Sequence, residues 1–319
     1  MNYRAFGKSG INVSELGFGC WAIGGNDHGI SYGPVDDKDS IVAIEEALEA
    51  GCNYFDTADV YGWGHSEELL GSSLKSVRDR VVIATKVGSD FYQGYGFQTF
   101  SEEYILFAFN KSLNRLQTDY IDVYQLHNPP LDLIVRPETF SIFERLKKEG
   151  KVRAWGLSVT TAEESLAALE HARPDCLQIP INIFSCDRRM IEEVLPTAYK
   201  QGCALIAREP LANGFLSGKY PPNSTFPAGD MRSSWPLDYV NARVKASQDL
   251  EFLIQPGERT MAQAALQWVL KIKELSVAIV GCKTEIQVKE NLGATDAMPL
   301  SAEELNKISL LQASNFGMK

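Results

Sequence analysis

Short apolar runs, many of them β-branched, recur along the chain, each bounded by Gly, Pro or polar residues. Between them the apolar positions fall at three- and four-residue spacing. The runs Leu16–Gly19, Asn53–Asp56, Val81–Lys86, Ile121–Leu126, Ala154–Ser158, Cys176–Pro180, Ala204–Ala207 and Val277–Val280 predict strands. Helices are expected over Ser40–Ala50, Glu67–Lys75, Glu102–Leu116, Pro137–Glu149, Ala162–His171, Arg189–Gln201, Met261–Lys271 and Ala302–Ala313. In the first of these, Ile41, Ile44, Ala47 and Leu48 share one face, and Gly51 stands where the helix should stop. Thr161 with Glu164, and Ser301 with Glu304, spell capping boxes that open a helix. Some eight strand–helix units in succession predict an α/β protein with a closed parallel (β/α)8 barrel, the TIM-barrel fold, and extra helices at the C-terminus.

Two stretches interrupt the repeat. Tyr3–Val13 precedes the first strand and is expected to form an N-terminal β-hairpin closing the bottom of the barrel. Tyr220–Pro236, with Pro221, Pro222, Pro227, Gly229 and Trp235, is too long for a plain connection and reads as a functional loop. Neither a low-complexity tract nor a linker divides the chain, so residues 1–319 are expected to make a single domain.

Composition narrows the partners. Of 319 residues, 31 are Lys or Arg and 41 are Asp or Glu, giving a formal net charge of -10. That charge argues against nucleic acid or an anionic membrane surface as the main partner, and leaves a small molecule as the expected ligand. No apolar run reaches the roughly 20 residues that span a bilayer, and Met1–Gly10 lacks a hydrophobic signal core. The six cysteines show no C-x-x-C pair, and the four histidines have no metal spacing. A cytoplasmic, reducing location and a site without metal are expected. Gly17, Gly19 and Ala22 fit a relaxed dinucleotide fingerprint, but no helix signal opens at its third position, which counts against a Rossmann domain.

The polar residues at strand ends carry more weight. Asp56, Lys86, His127 and Ser158 each stand at or just past the C-terminal end of a successive apolar run, where barrel enzymes place their chemistry. A buried Lys86 ammonium beside Tyr61 would favour the phenolate and lower its pKa, with Asp56 holding the lysine charged. Tyr61 is then the general acid. His127 would offer a nitrogen to a carbonyl oxygen, an arrangement suited to carbonyl reduction.

These residues lie within motifs that resemble the aldo-keto reductase superfamily. The matching runs include Gly7–Gly10, Gly17–Gly19, Asp56–Ala58, Tyr61–Gly62, Ser66–Gly71, Ala84–Lys86, Asp119–Asp122, His127, Gly150–Arg153, Gly156–Ser158, Pro210–Leu211, Leu216–Tyr220, and Gln287 with Glu290–Asn291. Thr225–Asp230 is similar to the bacterial and plant branch close to the channel β-subunit-like and inositol-utilisation-type reductases. The resemblance implies NADPH bound extended across the barrel top, with NADH as a second candidate. It implies a catalytic tetrad of Asp56, Tyr61, Lys86 and His127. For the cofactor it implies Cys20, Trp21 and Asp56, with Ser158 and Gln178 at the carboxamide and Arg208 and Glu209 beside it. Leu211, Gly214, Leu216 and Lys219 are implied at the pyrophosphate, and Gly281, Cys282, Lys283, Thr284, Gln287, Glu290 and Asn291 at the adenosine end.

Two positions in the implied nicotinamide site depart from the family pattern, and Thr284 and Gln287 stand where an arginine is common at the implied 2′-phosphate contact. Val159 replaces the usual Asn, and Arg208 the usual stacking aromatic. Arg208 could lie on the nicotinamide, reach an anionic substrate, or pair with Glu209. Trp21, Trp63, Tyr92 and Trp235 are expected to wall the substrate pocket. The expected function is NADPH-dependent reduction of an aldehyde or ketone, such as a sugar or keto-sugar. A cofactor-binding regulatory subunit, an NAD-dependent sugar or polyol dehydrogenase, and a Schiff-base lyase using Lys86 are the other readings.

Overall fold

The computed structural model describes residues 1–318 apart from Tyr95, Ser185 and Cys186. It opens on an antiparallel pair, β1 (Tyr3–Ala5) and β2 (Asn12–Ser14). Eight parallel strands then close a barrel: β3 (Leu16–Gly19), β4 (Tyr54–Asp56), β5 (Val82–Val87), β6 (Ile121–His127), β7 (Val152–Ser158), β8 (Cys176–Pro180), β9 (Ala204–Arg208) and β10 (Val277–Gly281). They pair in chain order, and β10 returns to β3 to complete the ring. All eight expected strands are present, with ends shifted by no more than two residues.

The outer helices are α1 (Asp37–Glu49), α2 (His65–Leu74), α3 (Glu102–Arg115), α4 (Leu131–Ile134), α5 (Ser141–Lys148), α6 (Ala162–Ala167) and α7 (Leu195–Gln201). They continue with α8 (Leu237–Gln248), α9 (Met261–Leu270), α10 (Glu285–Leu292) and α11 (Ala302–Ala313). Thr161 and Ser301 make the expected capping boxes, and Thr260 with Gln263 makes a third that opens α9. Gly51 takes a φ of 85° just beyond α1, as a stop residue should. Three expected helices are segmented. Pro137–Phe140 is a 3-10 turn ahead of α5, Ala168–Ala172 widens to a π-helix after α6, and Met190–Val194 does so before α7. Pro196 accounts for the last, because it has no N–H for the carbonyl four residues back. Helices α8 and α10 were not among the expected segments.

Strand alternation sorts the core. Tyr54, Val82, Ala84, Val123, Ala154 and Val277 pack inside the barrel with Phe6, Ile11 and Val13, so the hairpin closes its N-terminal end. Phe55, Ile83, Tyr124, Trp155 and Leu177 point outward beneath the helices. With a period of two, the inward positions nearest the other end are Asp56, Lys86, Gln125, His127, Ser158 and Gln178. The barrel thus fills its base with apolar groups and turns its polar ones to the mouth.

Gly156, on β7, shows how closely the strands pack: a Cβ there would stand 2.2 Å from the Cys176 carbonyl oxygen and 2.4 Å from its sulfur. Because the obstruction includes backbone, Gly156→Ala is expected to cost about 1–3 kcal/mol. Urea unfolding with an unchanged slope and a lower midpoint would show it; an unchanged midpoint would contradict this packing.

Candidate active site

Each polar residue at the mouth is placed by a strand end or by the turn that follows it. Asp56 ends β4 and is 2% exposed; Lys86 lies in β5 and is fully buried. The Lys86 ammonium has three donors and three partners: Asp56 Oδ1 at 2.5 Å, the Thr57 carbonyl at 2.8 Å and the Tyr61 hydroxyl at 3.3 Å. The second Asp56 oxygen accepts from Gln178 Nε2 at 2.7 Å and, at 3.5 Å, from Gln125 Nε2. Gln125 was not expected from the sequence as a site residue. The signal was there, since it stands two positions before His127 on the same strand and therefore on the same face.

Tyr61 hangs on a turn pinned beneath it. The Thr57 and Asp59 amides donate to the Ala84 and Lys86 carbonyls, and the Thr57 hydroxyl donates to Ser66. Beyond Tyr61 the backbone is left-handed at Gly62, Trp63 and Gly64, with φ of 61°, 54° and 99°. Glycine is required at 62, because a Cβ would lie 2.2 Å from the Gly24 carbonyl oxygen.

Burial decides the electrostatics. It raises the Tyr61 pKa, with Asp56 acting in the same direction, and outweighs the downward pull of Lys86. This corrects the expected net lowering: the phenol keeps its proton. Burial also opposes the charge on Lys86, but Asp56 and Tyr61 more than offset it and hold the ammonium above the ordinary lysine value. His127 stands edge-on to Tyr61, ring centroids 5.8 Å apart. Burial, with Lys86 and Arg208, pushes its pKa down to about 3, so the imidazole is neutral. Its Nδ1 is enclosed without a partner among the described residues.

Around this group the expected cofactor residues divide. Ser158 and Gln178 are buried neighbours on β7 and β8, paired in register. Arg208 is spent on its surroundings: one arm meets Glu209, and the other donates to Thr160 Oγ1 at 2.9 Å and the Val159 carbonyl at 3.3 Å. The pairing with Glu209 is the alternative the structure shows. Leu211 precedes the turn Ala212–Ser217, which carries Gly214 and Leu216. Lys219, Arg232 and Asp230 all act on Lys283, making a patch of three cations and one carboxylate in an acidic chain. Burial lowers the Lys283 pKa, and its ammonium donates to the carbonyls of Tyr32, Pro34 and Gly33 at 2.7, 3.2 and 3.3 Å.

At the start of α10, Thr284 accepts from the Gln287 amide, and Gln287 Oε1 from that of Lys283. Gly281 is exposed at the end of β10, whereas Asn291 and Cys282 bond to each other in the core. The Glu290 carbonyl accepts from Gln263. Cys20 is fully buried, and its amide donates to the Asp56 carbonyl.

The aromatic walls also separate. Trp21 lies 6.2 Å from Tyr61 and 4.7 Å from Tyr32, between ring centroids. Trp63 stacks with His28 on one side and Phe91 on the other, and Phe91 stacks on Tyr92. Trp235 packs instead on Phe215 and Tyr239 in a separate cluster.

The donor set fits a nicotinamide nucleotide. A buried serine and glutamine sit beside Asp56, Tyr61, Lys86 and His127, enclosed polar atoms without partners among the described residues lie there (Gln125 Oε1, His127 Nδ1, Arg208 Nε), and a cationic patch suited to a diphosphate lies toward β10. Comparison with known proteins agrees. Residues 15–312 match the model of the aldo/keto reductase family. Aldo-keto reductase YhdN of Bacillus subtilis (strain 168) is 33% identical over 98% of this chain and 93% of its own length. L-galactose dehydrogenase of Arabidopsis thaliana is 28% identical over 97% of this chain and 93% of its own. Among solved structures, the holo form of aldo-keto reductase AKR11C1 from Bacillus halodurans superposes with a TM-score of 0.79 at 34% identity, covering 98% of this chain and 96% of that one. Glycerol dehydrogenase AKR11B4 from Gluconobacter oxydans gives 0.83 at 27%, covering 99% and 97%. A closed eight-stranded barrel with this mouth and these likenesses belongs to the aldo/keto reductase family, and the chain is an NAD(P)H-dependent oxidoreductase.

Proposed function

We propose that the protein reduces an aldehyde or ketone of the sugar or polyol type, using NADPH in preference to NADH, from a single domain in the cytoplasm. The observation that carries the reading is the convergence of a protonated phenol, a lysine ammonium and a neutral imidazole at one point of the barrel mouth. A bound nicotinamide supplies the hydride. Tyr61 supplies the proton that the carbonyl oxygen needs as it gains charge. Lys86 already donates to the phenol oxygen, so it stabilises the phenolate left behind, and Asp56 keeps Lys86 charged throughout. A proton on His127 Nε2 leaves Nδ1 as a bare acceptor, which is cheaper to bury unpaired than an N–H. His127 then donates from Nε2 and fixes which face of the carbonyl meets Tyr61.

The pairing of Arg208 with Glu209 removes the cation that an anionic substrate would use, and so favours a neutral one. The glycerol and L-galactose dehydrogenases among its relatives support a hydroxylated carbonyl compound. The five described cysteines are unpaired and buried, which suits a reducing compartment.

Tyr61→Phe is expected to lower carbonyl reduction at least ~100-fold while leaving the dissociation constant for NADPH within about twofold. Full turnover in this variant would refute the assignment. In the unmodified protein, nucleotide binding without turnover on any sugar, polyol or simple aldehyde would move the reading to a regulatory subunit.

Because His127 stays neutral down to about pH 3, its protonation should not limit kcat/KM between pH 5 and 8. The profile should be flat there; an acid limb breaking near the ordinary histidine value of about 6.5 would contradict it. Lys283 is already engaged with three carbonyls, so a 2′-phosphate gains only part of its charge. Calorimetry should show NADPH bound about tenfold more tightly than NADH, near 1.4 kcal/mol, and Lys283→Met should erase the difference. A preference that survives this substitution would place the phosphate elsewhere.

A further inference from the structure

Behind the turn that carries Tyr61 lies a set of buried charges that proton transfer does not use. Glu67, in the first turn of α2, is fully buried. It accepts from the Thr85 hydroxyl at 2.6 Å and from Arg115 Nε at 2.6 Å. Thr85 precedes Lys86 on β5, so Glu67 grips the catalytic strand from its outer side.

Arg115, the last residue of α3, reaches past Glu67 in two directions. Its side chain fills the space beside Gly64, where a Cβ would stand 2.6 Å from Arg115 Cδ and 2.7 Å from Nε. Its NH1 donates to the Tyr92 hydroxyl at 2.9 Å, and its guanidinium carbon lies 5.9 Å from the Phe91 ring centre. Among the described residues this is the only hydrogen bond of the Tyr92 hydroxyl. Its segment is framed by Gly88 and Gly94, with φ of 133° and 112°, and holds the short 3-10 turn Phe91–Gln93 and a bridge from Ser89 to Gln98, so Arg115 adds a side-chain anchor at its middle. Burial opposes the charge on Arg115, but Glu67 and Tyr92 raise its pKa beyond the ordinary value, so the fork remains ionic.

We propose that Arg115 is a positioning residue that sets substrate specificity: anchored on Glu67, it braces the left-handed turn after Tyr61 and holds the Phe91–Tyr92 wall at a fixed distance from the phenol. One guanidinium thereby ties the turn that carries Tyr61 to the Phe91–Tyr92 wall. The substrates it selects are carbonyl compounds large enough to reach that wall, ring-bearing sugars included; this rests on the oxidoreductase reading above. Small acyclic carbonyls, which do not reach it, escape the selection.

The test compares Arg115→Lys and Tyr92→Phe with the unmodified protein. Lysine can still neutralise Glu67 but has no fork to reach Tyr92, and phenylalanine removes only the hydroxyl, so both are compatible with folding. For ring-bearing carbonyls each variant should raise KM roughly 3- to 10-fold, the size of one net hydrogen bond, with kcat and NADPH affinity within about twofold. For a two-carbon hydroxyaldehyde KM should not move. Equal changes for both substrate classes, or a parallel loss of NADPH affinity, would overturn the assignment. Hydrogen exchange gives a readout independent of turnover: amides of residues 89–94 should exchange faster in both variants. If the unmodified protein reduces no carbonyl, the reductase reading fails, and unchanged exchange in that segment overturns the brace by itself.

Discussion

The mouth of this barrel is organised by one buried ion pair, Lys86 with Asp56. Placing two charges where neither is appreciably exposed carries a desolvation cost of several kcal/mol per ion, which their attraction offsets only with good geometry and further hydrogen bonds. The structure provides those bonds: the Thr57 carbonyl takes a second donor of the ammonium, and Gln178 donates to the second carboxylate oxygen. Removing either partner leaves a lone charge in a closed space, so the pair constrains β4, β5 and β8 together. Tyr61 inherits its place from the third donor, and His127 its neutrality from burial beside that same charge.

Much of this was legible along the chain, because alternation with a period of two is a local property. It puts Asp56, Lys86, His127 and Ser158 at strand ends, and the same count reaches Gln125. Polar caps located several helix starts. The long helix expected over Arg189–Gln201 is interrupted because Pro196 disturbs the pattern of carbonyl acceptors, although its apolar spacing suggests continuity. What pattern could not supply were pairings between distant positions. Gln178 meets Asp56 across 122 positions, and Arg115 meets Glu67 across 48. Nor could the direction of the Tyr61 shift be read, since burial of the phenol outweighs the pull of the lysine beside it, and burial is set by the packing of distant segments.

Charge is distributed by task. The chain is acidic overall, yet Lys219, Arg232 and Lys283 gather near one carboxylate, Asp230. Arg232 is almost fully buried and binds Asp230 through two nitrogens, while its guanidinium also lies over the Tyr32 and Phe226 rings. Such a cation is held by packing as much as by its counter-ion. A local positive field inside a negative envelope suits an anionic ligand at that one place and leaves the rest of the surface repelling like molecules.

The long loop after β9 is tied to the loop after β3: Ser31 and Tyr32 bridge to Asp230, and Lys283 reaches Tyr32 across 251 positions. These contacts have among the largest sequence separations in the molecule, and β3 itself must wait for β10 before its open edge is covered. Closure of so non-local a structure is slow relative to the local hairpins and helices around it. During synthesis the tetrad residues all emerge before residue 130, but the roof above them cannot form until the last strand has left the ribosome. The enclosure of Asp56, Tyr61, Lys86 and His127 is therefore completed late, and a chain cut short before β10 would carry these side chains without the burial that sets their proton affinities.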